Sequence, residues 1–131
     1  MSNFVNYITG ILLGLLSSLT VAQSYPSKPL RFIVVFPPGD GTDATMRSMS
    51  QNLAGRLGQP VVVDNRPGGN FVIGAQACTG AASDGYTFCM VNGTMMSVNP
   101  QVMSKLPYDP ERDFKPLTAM YLVLKIGRAH V

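Results

Sequence analysis

The sequence predicts an α/β protein built on a mostly parallel sheet flanked by helices. Three observations carry that expectation. Short apolar runs rich in β-branched residues recur along the chain, as strands covered on both faces require. Segments with apolar residues at spacings of three and four separate them. The connections are short and rich in Gly, Pro, Asn and Asp, and strand–helix–strand order with short loops produces a parallel sheet with helices against it.

The elements follow in order. Leu30–Phe36 (LRFIVVF) reads as a buried parallel strand, broken by Pro37-Pro-Gly-Asp-Gly41. Thr42 or Asp43 is placed to cap a helix, since a short side-chain oxygen accepts the free N–H groups of a first turn. Met46, Met49, Leu53 and Leu57 give that helix one apolar face, and Gly58 stops it. Val61–Val63 reads as a second buried strand, Asn65–Asn70 as a loop, and Val72 to Ala82 as a second helix. Ser83-Asp-Gly85 turns the chain into a third strand, Tyr86–Val91, and Asn92-Gly-Thr94 is a further polar loop. Asn99-Pro100 and Asp109-Pro110 each look like an N-cap followed by proline in the first turn, so a short helix is expected at both. Leu117–Leu124 is the candidate fourth strand.

Both ends are set apart from this pattern. Ile8–Val21 is apolar and uncharged but shorter than the roughly 20 residues that span a bilayer. It runs into the small-x-small site Thr20-Val-Ala22, so residues 1–22 read as a cleaved secretory signal peptide. The competing reading is an N-terminal membrane anchor, because Met1–Tyr7 contains no Lys or Arg. The closing heptad, residues 125–131 (KIGRAHV), reads as translated sequencing adapter at the end of a DNA fragment and is kept out of the fold. Residues 23–124 are then one domain.

Composition narrows the chemistry. The formal charge is +3 in 131 residues, and setting aside Lys125 and Arg128 leaves eight basic against seven acidic side chains. No basic run is interleaved with aromatics, so nucleic-acid binding is not expected. The only histidine is His130, in the closing heptad. Without it no Ser-His-Asp or Cys-His arrangement exists to activate a nucleophile, and no catalytic residue is assigned. Cys78 and Cys89 are too few for a closed zinc site. No Gly-Lys-Ser/Thr motif follows the glycines, and Gly39-x-Gly41 lacks the third glycine of a dinucleotide fingerprint. No metal and no cofactor are expected. After export the two cysteines are free to form a disulfide worth roughly 2–3 kcal/mol; two buried free thiols are the alternative, and both readings stay open.

What remains are polar, glycine-rich loops after successive strands: Pro38–Asp43, Gly68–Ile73 and Asn92–Met95. In open parallel sheets ligands bind at this edge, and helix starts favour anions there. Gly and Asp are also common in βα turns that bind nothing. Asp40 and Asp43 form no convincing acid–base pair, since capping accounts for Asp43.

Several segments in order resemble one family. They are Tyr25-Pro-Ser-Lys-Pro-Leu-Arg31, Phe36-Pro-Pro-Gly39 with Gly41-Thr-Asp43, Leu57-Gly-Gln-Pro-Val-Val-Val63 and Asn65-Arg-Pro-Gly68. Ile73-Gly-Ala75, Asp84-Gly-Tyr-Thr87, Asn99-Pro100 and Leu106-Pro-Tyr-Asp-Pro110 with Asp113-Phe114 continue the series. Over residues 25–124 the chain resembles the Bug-type (TctC-like) receptors of tripartite tricarboxylate transporters. The resemblance implies a periplasmic-binding-protein-like (type II) lobe, truncated before the second lobe. It implies a periplasmic, monomeric receptor for a di- or tricarboxylate, an amino acid or an aromatic acid, delivering its ligand to membrane transporter subunits. The implied ligand-binding residues are Gly39, Asp40, Gly41, Thr42 and Asp43 in the first loop. Gly68, Asn70, Phe71 and Ile73 are implied in the second, and Asn92, Gly93 and Thr94 in the third. Two positions depart from the family pattern. Asp40 stands where glycine is usual and places a negative charge beside an anion site, a repulsion of about 1 kcal/mol if partly exposed. Phe71 stands in a stretch usually smaller, where it either lines the pocket or packs as core. A secreted α/β enzyme with its catalytic residues elsewhere, or a sensor lobe feeding a membrane signalling protein, are the other classes compatible with the sequence.

Overall fold

The computed structural model describes residues 24–121; the signal-peptide and adapter readings, and residues 122–124 of the fourth strand candidate, lie outside the described residues. Strands β1 (Leu30–Val34), β2 (Val61–Asn65) and β3 (Thr87–Met90) form one sheet in the order β2-β1-β3. Both ladders are parallel, with Phe32 opposite Val63 on one side and Phe88 on the other. Helix α1 (Gly41–Leu57) connects β1 to β2, and α2 (Val72–Thr79) connects β2 to β3 across β1. The two crossovers run in opposite directions across the sheet, so the right-handed rule places α1 and α2 on opposite faces. The strand–helix alternation read from the sequence is therefore the observed architecture.

β1 is the central strand, and Ile33, Val34 and Val35 are fully buried. On the α2 side Val35 packs with Ala75, Met95 and Tyr108. Gly74 allows that approach: a Cβ there would lie 2.5 Å from Val35 Cγ1 and 2.9 Å from the Arg66 carbonyl. Cys78 on α2 and Cys89 on β3 are joined as a disulfide, their Cα atoms 6.0 Å apart. It fastens the helix to the strand it precedes.

Several local expectations are corrected. The cap of α1 is Asp40, whose Oδ1 accepts from the Asp43 N–H at 2.8 Å, and neither Thr42 nor Asp43 fills that role. Gly58 closes the helix in a left-handed conformation, as expected, its N–H donating to the Ala54 carbonyl. The buried face of α1 is Asp43, Met46 and Ser50, whereas Leu57 is exposed. Seventeen helical residues extend about 25 Å, against about 17 Å for a five-residue strand, so the last turns overhang the sheet. β2 is an edge strand with Val62 half exposed, not a buried one. The predicted strand at 117–124 forms no ladder over its described part, residues 117–121. That segment runs beside α1 instead, with Leu117 exposed and the Tyr121 hydroxyl donating to Thr42 Oγ1 at 2.9 Å. Asp109 does cap a turn, accepting from the N–H groups of Glu111 and Arg112, but no helix grows from it.

Candidate functional site

Parallel strands deliver all their following loops to one edge, and here three of them converge. The first loop leaves β1 through Phe36 and enters α1. Gly39 adopts φ +85°, a conformation glycine reaches freely, and its N–H donates to Asp43 Oδ2 at 2.9 Å. Asp43 is the centre of this loop, 3% exposed. Besides Gly39 it accepts from Arg47 Nε at 2.9 Å and from Asn65 Nδ2 at 2.8 Å. The Arg47 guanidinium, then the Gly39 N–H and the Asn65 amide, hold its carboxyl at a pKa of about 2. Asn65 also donates to the Phe36 carbonyl and accepts from Arg47 Nη2, so the end of β2 is stitched to the loop after β1.

The second loop follows β2 and has unusual backbone geometry. Gly69, Asn70 and Phe71 take successive positive φ angles of 56°, 51° and 72° before α2 begins. Asn tolerates this region and Phe rarely adopts it. Asn70 Nδ2 donates to Asn99 Oδ1 at 2.6 Å, while Asn99 Nδ2 donates back to the Asn70 carbonyl at 2.8 Å. Phe71 packs at a tilt against Phe36 of the first loop, ring centres 5.3 Å apart, and against the core cluster. It is core packing that holds its ring. Ile73, in the first turn of α2, leaves half its surface exposed beside Gly68 and Gly69.

The third loop leaves β3 into a π-helical turn, Thr94–Val98, continued by a short helix α3 (Asn99–Val102). Single π turns in helical segments occur often at functional sites. Asn92 Oδ1 accepts from the Met95 N–H at 2.8 Å. Asn99, read from the sequence as a cap, is instead a fully buried residue inside the helical segment. Its amide also donates to the Tyr108 hydroxyl, which donates to the Met95 carbonyl at 2.7 Å.

The twelve residues implied by the sequence are thus gathered at one sheet edge, but in two tiers. The side chains of Asp40, Asp43, Asn70 and Asn92 are turned into hydrogen bonds within the protein. The exposed tier includes glycines, Gly39, Gly41, Gly68, Gly69 and Gly93, where no side chain covers the backbone. The first-turn N–H groups of a helix lack intrahelical acceptors. Asp40 takes that of Asp43 in α1, leaving those of Gly41 and Thr42. Asn65, Arg47, Asn99 and Tyr108 support the loops and escaped the sequence reading. Arg47 was detectable, as the i+4 partner of Asp43 on a helix. Among the described residues no group of three or more His, Cys, Asp or Glu side chains is placed to hold a metal.

An α/β lobe with helix starts and glycine-rich loops at a single sheet edge has the layout in which open parallel sheets bind ligands. The chain belongs to the tripartite tricarboxylate transporter family of receptors, whose model matches residues 45–125. That family consists of receptors and not enzymes. A UPF0065 protein of Bordetella bronchiseptica is 39% identical over 118 residues, 89% of this chain and 35% of the relative. The chain therefore spans about a third of the length of that relative. Among solved structures, a periplasmic transporter is 44% identical with a TM-score of 0.62, over 66% of this chain and 29% of the other. MatC of Rhodopseudomonas palustris, solved with bound malate, is 31% identical with a TM-score of 0.63, over 70% and 31%.

Proposed function

We propose that this chain is the first lobe of a periplasmic receptor that captures a small carboxylate for a tripartite transporter. The ligand carboxylate sits at the carboxyl edge of the sheet, held by backbone N–H groups at the starts of α1 and α2 and in the third loop. The observation that carries this is that α1 and α2 both begin at the carboxyl edge of adjacent parallel strands, with the partial positive charge of helix starts, each preceded by glycines that let a ligand approach the backbone. Ile73 and the rim of Phe71 supply apolar contact. Malate bound to MatC, a relative of the same fold, supports the ligand class. Residues 1–22 act as the export signal, and membrane subunits of the transporter receive the ligand. Selection of a dicarboxylate, amino acid or aromatic acid falls to the rest of the cleft.

The test is calorimetry on the protein expressed from the complete gene, against a panel of di- and tricarboxylates, amino acids and aromatic acids. Saturable heat with one carboxylate class is expected. A folded protein that gives no heat with any of them contradicts the proposal.

A further inference from the structure

We propose that Asn99 is a positioning residue: with Tyr108 it clamps Asn70 and so sets which peptide groups the second loop presents to the ligand. One buried amide holds both the side chain and the main chain of Asn70, through contacts of 2.6 and 2.8 Å. No polar atom of the Asn99 side chain is left over, since its second N–H reaches the Tyr108 hydroxyl. Tyr108 is itself fixed, donating to the Met95 carbonyl and packing edge-on against Phe114 at 5.9 Å.

The clamp has a geometric consequence. In a planar trans peptide the C=O and the following N–H point in opposite directions. Drawing the Asn70 carbonyl inward to Asn99 therefore turns the Phe71 N–H outward, toward the open ends of the strands. The left-handed run at Gly69–Phe71 is the backbone path that this demands. Because Asn99 belongs to the helical segment after β3, the same contact ties the second loop to the third, and a ligand spanning both meets them at a fixed separation.

The effect on affinity rests on the carboxylate-receptor proposal; the effect on loop geometry does not. Amide hydrogen exchange and malate calorimetry on the complete protein test the two separately. Asn99→Ala should speed exchange of the Val72 amide, which closes the loop onto the Gly69 carbonyl, by about tenfold, with β1 amides unchanged. It should weaken malate about tenfold, and adding Asn70→Gly should recover most of that loss, since glycine takes φ +51° unaided. Tyr108→Phe, which keeps the ring, should show the same pattern more weakly and serves if Asn99→Ala does not fold. Exchange that rises evenly across the chain, or not at all, overturns the clamp. So does a double variant no better than Asn99→Ala alone. If the unaltered protein gives no heat with malate, the exchange arm alone decides the clamp.

Discussion

The first and second loops lie side by side at the sheet edge and are held by opposite means. The first is fixed by charge: Asp43 lies under Arg47, Asn65 and the Gly39 N–H. The second is fixed by neutral amides, Asn70 against Asn99, and by an aromatic contact between Phe71 and Phe36. Both leave backbone groups outward and keep side chains within. The difference lies in what disturbs them. An ionised hub responds to pH, whereas an amide clamp answers only to packing and geometry.

Acid should separate the two most strongly. The folded-state pKa of Asp43, about 2, lies below the ordinary aspartate value of 3.8. A depressed carboxyl contributes its stability fully above the unfolded value and loses it as pH falls through the folded one. The contribution is thus complete above about pH 4 and lost as pH falls through about 2. Amide spectra recorded down that range should show Gly39–Ala44 shifting while Asn70–Ile73 hold their positions. Equal movement of both loops would erase the distinction.

A smaller effect is expected at Asp40, whose carboxylate caps α1 and lies beside the proposed anion site. Asp40→Gly should cost only a few tenths of a kcal/mol in stability, since glycine is itself an acceptable cap. Removing the charge should tighten malate binding about fivefold, the ~1 kcal/mol of a partly exposed repulsion. Calorimetry and thermal unfolding read the two separately. Weaker malate binding in the variant would mean that the loop geometry set by the Asp40 cap outweighs its charge.

The features legible in the sequence were those set by local pattern. Leu30–Phe36 and Val61–Val63 announce strands through β-branched runs, and Gly58 announces the end of α1. Asn99 was misread because Asn-Pro is a local cap signal, while its partner Asn70 lies 29 residues away. Burial of an amide that distant leaves no periodic trace. Leu117–Tyr121 forms no strand for a related reason: an apolar extended segment pairs only where the chain carries it to a sheet edge, and this one is carried along α1. The cap falls on Asp40 and not on Thr42 or Asp43 because the helix begins at Gly41, a start that three closely spaced capping-type residues leave open in the sequence. Cys78 and Cys89 left bonded and free states equally open, since pairing depends on how α2 crosses β1.

The central claim is that a carboxylate is held by peptide groups of these loops. Amide chemical-shift mapping of the complete protein, titrated with the carboxylate that gives heat in calorimetry, tests it most directly. The amides of Gly41, Thr42, Phe71 and Gly93 should shift in a saturable way with the same dissociation constant. Shifts confined to the outer face of α1 around Thr45, Met49 and Asn52, with these four unmoved, would contradict the account.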